Sequence, residues 1–471
     1  MEPDYLRRWI ETESAGVTEL SPAHGIEHPI EDAAPAQAWF TLWALIAILL
    51  FAFVDRQILS LVAAPLSKSL GLSNSQLGAV QGLGAAAFSL LATYPAAWLA
   101  DRFDRRLVLA GCMVIWAGGT VACGLAQGFA SLFFAVVAVT AGEAGAAPLI
   151  LSVVPDLFNG RERVTANLIY YFFALVSASL GMMFGGAAVA GLDKIHSALP
   201  PLFQGFESWR LAFFLVAAPL PLFLGLTLFM RLRRPAHHPA QKAAQSPSRA
   251  ALGPHLLAHR RTIGLILAAI SLMTLASGGM LAWMPVSMAR IFGVTPAENG
   301  IALGLSCLFG ALAGVGGASL LQRWLQPRLG RRAALRLIWV PLLCAAPTVL
   351  AMPMVSAAWQ GFALVGVYVG FATLSGSLMP SVLQDLAPSH VRARFMAIYS
   401  ILVTLFGAIG VLAPAGLSDL LTSGPRSLLW GVLLVSFPST LLSAATMYAA
   451  EKPFERTAED LAEGISELSA R

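Results

Sequence analysis

Long apolar runs recur along this 471-residue chain, separated by short polar stretches. Twelve stand out, near 39–62, 76–99, 107–126, 131–155, 164–190, 210–230, 262–289, 298–321, 335–356, 359–383, 393–417 and 428–449. Each approaches the roughly 20 residues that carry a helix across a hydrocarbon core. The pattern predicts an all-α membrane protein with twelve transmembrane helices, and an even count puts both termini on one face.

The polar stretches test that layout. Loops on one face hold Arg102, Arg105 and Arg106, then Arg161 and Arg163, the cluster from Arg231 to Arg261, Arg323 to Arg336, and Arg392 with Arg394. The opposite loops hold Lys68, Lys194, Arg210, Arg290 and Arg426. Basic loops favour the cytoplasm, so the asymmetry predicts a cytoplasmic N-terminus, central linker and C-terminus. An odd number of spans would scramble it.

Composition agrees. The chain is 57% hydrophobic and 12% charged, with a mean hydropathy of +0.73, far from soluble averages. Its net charge of +5 sits in alternate loops and signals orientation, not a nucleic-acid partner. Residues 1–38 carry eight acidic and two basic residues, unlike a cleaved secretory leader. Cys112, Cys123, Cys307 and Cys344 all lie in apolar runs, as small core residues do. No metal site or cofactor is expected.

The organisation follows: a cytoplasmic tail (1–38), a six-helix bundle (39–231), a Pro-, Ala- and Arg-rich linker (232–261), a second six-helix bundle (262–450) and a cytoplasmic tail (451–471). The linker reads as a solvated loop on the membrane surface, with basic residues near lipid headgroups. An internal repeat supports two halves. Ser152-Val153, Asp156-Leu157, Arg163, Ile169 and Tyr170 recur 229 residues later as Ser381-Val382, Asp385-Leu386, Arg392, Ile398 and Tyr399. A parallel duplication of six helices gives that spacing.

Charge inside a span is the sharpest functional signal, since each ion costs roughly 2.5–3.5 kcal/mol at the bilayer centre. Away from span ends only Asp55, Arg56 and Glu143 qualify. Gly142 and Gly145 flank Glu143 closely enough to admit a neighbouring helix, so Glu143 and Arg56 are expected to meet. Two readings compete. Arg56 neutralises a carboxylate and staples the bundle, or a carboxylate exchanges protons while Arg56 tunes it or grips an anion. One cation beside two acids favours the second reading. The eight histidines fall in tails or loops, so proton coupling must rest on Asp55 or Glu143.

The loop after the second span reads Asp101-Arg102-Phe103-Asp104-Arg105-Arg106. It suits a cytoplasmic gate in which Asp101 faces a helix N-terminus of the other half while Arg102, Arg105 and Arg106 reach acids such as Asp156; Arg163 belongs to the same set. Asn167, Tyr170 and Tyr171 suggest a polar cavity wall, and Trp283 before Pro285 an aromatic contact on the other side. Gly82-Leu83-Gly84 imitates a dinucleotide fingerprint but lies within a span, which rules it out. The second half has no deeply buried charge, so recognition there is expected from aromatic, aliphatic and hydroxyl groups.

Asp55-Arg56, Leu99-Ala100-Asp101-Arg102 with Arg105-Arg106, Gly142-Glu143-Ala144, Asp156-Leu157-Phe158, Ser208-Trp209-Arg210, Trp283-Met284-Pro285 with Arg290, Pro388, Arg392 and Gly416-Leu417-Ser418-Asp419 together resemble the Spinster branch of the major facilitator superfamily and its bacterial relatives. The resemblance spans roughly residues 40–450. It implies alternating access in the bacterial inner membrane, proton coupling centred on Asp55 and Glu143, and lysophospholipid or phosphorylated sphingoid substrates as in eukaryotic members. Three positions depart from it. Val136 stands where the family usually has an arginine seven residues before the glutamate, Ala97 replaces the glycine opening the loop motif, and Gln322-Arg323 replaces Asp-Arg in the second-half copy.

The sequence therefore reads as a monomeric secondary active transporter of a small organic, amphipathic or lipid-like solute, driven by protons. A symporter of a hydrophilic organic acid, with Arg56 on the carboxylate, is the nearest alternative. A non-transporting membrane sensor or scaffold is the alternative of another class. An enzyme is disfavoured, because no nucleophile–base pair or metal cluster is evident.

Overall fold

Within hydrocarbon a lone segment satisfies its backbone polar groups only as a helix. The computed structural model describes residues 35–158, 160–198, 200–229, 252–330, 332–387, 389–421 and 424–469, and each predicted run falls on helix. The first span is Pro35–Leu61, the third Arg105–Gly124, the fourth Phe129–Leu157 and the fifth Gly160–Ile195. The seventh is Arg260–Phe292, the eighth Pro296–Leu329, the ninth Arg332–Ala351 and the eleventh Ser389–Leu421. The tenth runs Ala358–Ser377 and resumes as Met379–Leu386. Among the described residues, ten helices are long and apolar enough to cross a membrane.

Three further spans depart from a single helix of the predicted length. The second is helical over Asn74–Gly78 and Ala85–Arg102 with a π-helical segment, Ala79–Gly84, between them. The sixth divides into Ser208–Ala217 and Leu220–Phe229, where Pro219 and Pro221 remove backbone donors. The twelfth, Ser427–Ser469, runs well beyond the predicted end near 449. Its extension is tied down because Glu451 accepts from Trp339 Nε1 at 2.8 Å and Arg336 Nε at 3.3 Å, and Glu455 from Arg332 Nε at 2.7 Å. The tail through residue 34 and the linker over 230–251 lie outside the described residues; Leu252–Ala258 then leads into the seventh span.

The repeat is visible in three dimensions. Ser73 and Thr295 each open a span with a capping box, closed by Gln76 and Glu298, which satisfies helix donors otherwise left orphaned. Arg210, entering the sixth span, donates to the carbonyls of Gly124 and Ala126 at 2.9 and 2.6 Å. Arg426, entering the twelfth, donates likewise to Pro353 and Val355 at 2.7 and 3.1 Å. Each half thus staples its last span to the loop between its third and fourth.

The packing decides the shape. At the arginine-poor end one core runs through both halves, joining Ile58, Leu66, Leu77, Trp209, Trp283 and Leu428. At the arginine-rich end it splits. One cluster holds Leu42, Ile46, Leu109, Trp116 and Phe158, and a separate one holds Ile266, Leu335, Leu383, Phe395 and Met447. The second and eleventh spans show the same divergence. A Cβ on Gly78 would come within 2.8 Å of Ala415 Cβ, and one on Gly82 within 2.7 Å of the Ala408 carbonyl. Further along the same pair, Leu91, Tyr94, Trp98, Ile401 and Leu405 are exposed. The fifth and eighth spans cross at bare glycine, where a Cβ on Gly300 would lie 2.6 Å from Gly186 Cα. The two halves are therefore closed at one end and splayed at the other.

Candidate functional site

Between the halves lies a cavity of about 590 Å³, well within the range of small-molecule sites. Its charged lining residues are Asp55, Arg56 and Glu143, all from the first half. The second half contributes Leu281, Ala282, Ala311, Val369, Ala408 and Val411, relieved by the hydroxyls of Thr373 and Thr404.

The charges are held by small-residue packing. Gly181 of the fifth span lets the first approach so closely that a Cβ there would sit 2.7 Å from the Phe53 carbonyl. Gly142 does the same for the third and fourth spans. With the helices this close, Arg56 Nη2 donates to Glu143 Oε2 at 2.7 Å. The Arg56 side chain is 61% accessible and that of Glu143 only 5%. Since Arg56 lines the cavity, its exposure is to the cavity and leaves guanidinium donors facing the space a ligand would fill. Glu143 Oε1 is buried without a hydrogen-bond partner, as is Gln81 Nε2 on the π-helical segment.

Asp55 is treated differently from Glu143. It is 4% exposed, and its Oδ2 accepts from the Trp116 indole and from Thr120 Oγ1 at 2.9 Å. Both donors come from the third span. The trio thus divides into an ion pair open to the cavity and a buried acid held by neutral donors.

The remaining sequence candidates are placed as follows. Arg102 stacks on Trp98, 4.0 Å from the ring centroid. Arg106 pairs with Asp104 at 3.1 Å, and Asp104 caps the third span. The side chains of Asp101, Arg105, Asp156, Arg163, Asn167 and Tyr171 lie outside the described residues. Tyr170 is packed into the first-half core and not into the cavity lining. Trp283 is also away from that lining: fully buried at the closed end, it donates to the Val411 carbonyl at 2.7 Å. Aromatic residues beside a proline serve packing as readily as ligand contact, and burial alone separates the two.

Sequence reasoning passed over Trp116, Thr120 and Gln81, which look like ordinary span residues until the helices are assembled. It also assigned no role to a polar cluster at the closed end. There Arg290 Nη1 donates to Asn74 Oδ1 at 2.7 Å, Asn74 Nδ2 to Ser418 Oγ at 3.1 Å, and Ser75 to Asp419 Oδ2 through its backbone N–H and hydroxyl at 2.7 and 2.6 Å. Every one of these bonds crosses between the halves. Among the described residues no group of three or more His, Cys, Asp or Glu side chains could hold a metal ion.

Comparison with known proteins places this arrangement. The Major Facilitator Superfamily family model matches residues 45–411. An MFS-type efflux pump of Mycolicibacterium smegmatis is 26% identical over 436 residues, covering 90% of this chain and 94% of that protein. The 3-(3-hydroxy-phenyl)propionate transporter of Escherichia coli is 25% identical over 401 residues, covering 84% and 89%. The fold is also that of a bacterial homolog of the human lysosomal transporter Spinster, crystallised in an inward-facing and occupied conformation. The TM-score is 0.70 at 22% identity, over 91% of this chain and 98% of that one.

Proposed function

The chain belongs to the major facilitator superfamily, and from that premise we propose that it is a proton-coupled secondary transporter of a small amphipathic organic anion. The observation that carries this reading is the polarity of the cavity: one wall holds Asp55 and the Arg56–Glu143 pair, and the opposite wall is apolar. A solute with an anionic head and an apolar body matches both walls. Aromatic carboxylates, lysolipids and amphipathic drugs share that chemistry, and the relatives named as an efflux pump and an aromatic-acid transporter are consistent with it.

The geometry supports a mechanism of this kind. The positive-inside pattern supports an outer location for the closed end, and on that reading the cavity belongs to an inward-facing state. An anion entering it meets the cavity-facing donors of Arg56 and competes with Glu143 for the guanidinium. A proton on an acid of the trio restores charge balance, so that the loaded cavity can close and change access in either direction without carrying an uncompensated ion through the bilayer. The cytoplasmic loop from Asp101 to Arg106, with Asp156 and Arg163, is proposed to gate that closure.

Purified protein in liposomes tests the proposal, with proton movement followed while aromatic carboxylates, lysolipids and amphipathic drugs are added in turn. Solute-dependent proton flux in the unmodified protein that is lost in Asp55→Asn is the expected result. Solute movement with no proton flux in either protein would reduce the trio to structural staples. A hydrophilic organic acid moved in preference to its apolar-bodied analogues would replace the amphipathic assignment.

A further inference from the structure

Asp55 and Glu143 differ in their partners, and the difference assigns work to the third span. Resting on the proton-coupled reading above, we infer that Trp116 and Thr120 are positioning residues for Asp55, holding its carboxylate ready for the transported proton in both protonation states.

The hydroxyl of Thr120 has two acceptors within reach of one hydrogen: Asp55 Oδ2 at 2.9 Å and the Trp116 carbonyl, one turn back, at 3.2 Å. With Asp55 ionised, Thr120 donates to it. When Asp55 gains a proton, the acid O–H donates to Thr120 Oγ1, and the Thr120 hydrogen turns to the Trp116 carbonyl. A hydroxyl is both donor and acceptor, so neither state leaves a buried polar atom unpaired. The indole N–H donates only, and Oδ2 keeps a lone pair for it throughout. The proton therefore comes and goes by a hydroxyl rotation, with no movement of helices.

Trp116 is rigid enough for this task. It is 1% exposed and lies against Phe51, ring centroids 6.1 Å apart. A Cβ on Gly142 would come 2.7 Å from the Trp116 backbone nitrogen and 2.8 Å from its Cβ, so the fourth span braces this tryptophan one residue before Glu143. A single residue of the third span thus touches one acid and the support of the other. The titratable and charged groups facing Asp55 from the packed spans are Arg56, Glu143 and Cys123, which shares the cavity lining. Among them Arg56 is committed to Glu143, leaving the third span to orient Asp55.

The test is pH-difference infrared spectroscopy of the purified, ligand-free protein, following the carbonyl stretch of protonated carboxyls. A band absent from Asp55→Asn identifies Asp55. Each variant loses a bond in both protonation states, but the bond to the ionised carboxylate is the stronger, and that difference should move the midpoint of the band by about one pH unit to higher pH in Thr120→Val and in Trp116→Phe. Thr120→Ser, which keeps the hydroxyl, should leave it in place. If the band is that of Asp55 but its midpoint does not move in Thr120→Val, the positioning role is wrong while coupling through Asp55 stands. If Asp55→Asn retains every titrating band, Asp55 does not exchange protons, and the coupling role and its support by the third span fall together. Thr120→Val is nearly isosteric, so the test survives should Trp116→Phe fold poorly.

Discussion

The central cavity and the closed end distribute charge in opposite ways. In the cavity the ions belong to the first half, and the second half answers with apolar and hydroxyl groups. At the closed end the ions, Arg290 and Asp419, belong to the second half, and Ser67, Asn74 and Ser75 of the first half answer with neutral polar groups. Each of these interfaces is charged on one side and neutral on the other. Separating such surfaces breaks hydrogen bonds that water can replace, whereas parting a buried ion pair costs several kcal/mol. The arrangement suits halves that must come apart repeatedly.

The largest expected effect breaks the cavity side. Arg56→Ala leaves the buried Glu143 carboxylate without its cation, and a buried group that loses its hydrogen-bond partner costs about 1–3 kcal/mol. Transport should fall by about two orders of magnitude, with a lower thermal midpoint. Arg56→Ala combined with Glu143→Gln should recover the midpoint without transport, completing a double-mutant cycle with the two single variants. Recovery of transport as well would show that the pair is structural.

A second variant acts where the halves cross. A side chain at Gly300 meets backbone, since its Cβ would lie 2.5 Å from the Met182 carbonyl. Gly300→Val should therefore prevent outer closure and lower transport about tenfold, with spin-label distances across the fifth and eighth spans lengthening. Unchanged distances would mean that this crossing is not a closure point.

Asp419→Asn weakens the charged side of the closed end while keeping its shape. Loss of the charge-assisted bonds to Ser75 should raise the outward-facing population by a few-fold, up to about tenfold, read by thiol labelling of a cysteine placed at Leu77, which is buried in the closed-end core and takes no part in the cluster. Equal labelling in both proteins would remove the cluster from the gating account.

The smallest effect serves as a control within the first half. The Ser69 hydroxyl, at 2.5 Å, holds the Glu207 carboxyl below the usual carboxylate range, helped by Trp209 and Arg210. A depressed carboxylate adds stability above its unfolded range and loses it as pH falls through the folded value. Glu207→Gln should lower the thermal midpoint by about 1–2 °C at neutral pH, and the gap should close below about pH 4. A gap that persists in acid would assign the effect to packing.

How much was legible in the sequence depends on range. That the apolar runs are helices follows from hydropathy, because a lipid-facing segment has few ways to satisfy its backbone. The Arg56–Glu143 meeting is foreshadowed by Gly142 and by the rarity of charge in spans. Trp116 and Thr120 are not foreshadowed, because a tryptophan and a threonine in an apolar helix are ordinary until rotation and depth are known. Trp283 misleads for the same reason, since only packing shows that its indole faces Val411. The asymmetry of the cavity is partly readable: at the repeat offset of 229 residues from Glu143 the second half has Ala372, and Val136, the departure from the family arginine, lies on the cavity wall. The π-helical segment that bears Gln81 has no evident sequence signal beyond its glycines.

On the proposed mechanism, proton coupling resides on Asp55 in the first-half wall, separable from the movement of solute. Solute counterflow and proton-driven accumulation, compared in liposomes bearing Asp55→Asn, test it directly, using a solute that drives proton flux in the unmodified protein. Exchange of labelled for unlabelled solute needs no net proton transfer, so the variant should exchange solute but no longer accumulate it against a gradient. Accumulation at the unmodified level would contradict the mechanism and move the coupling away from Asp55.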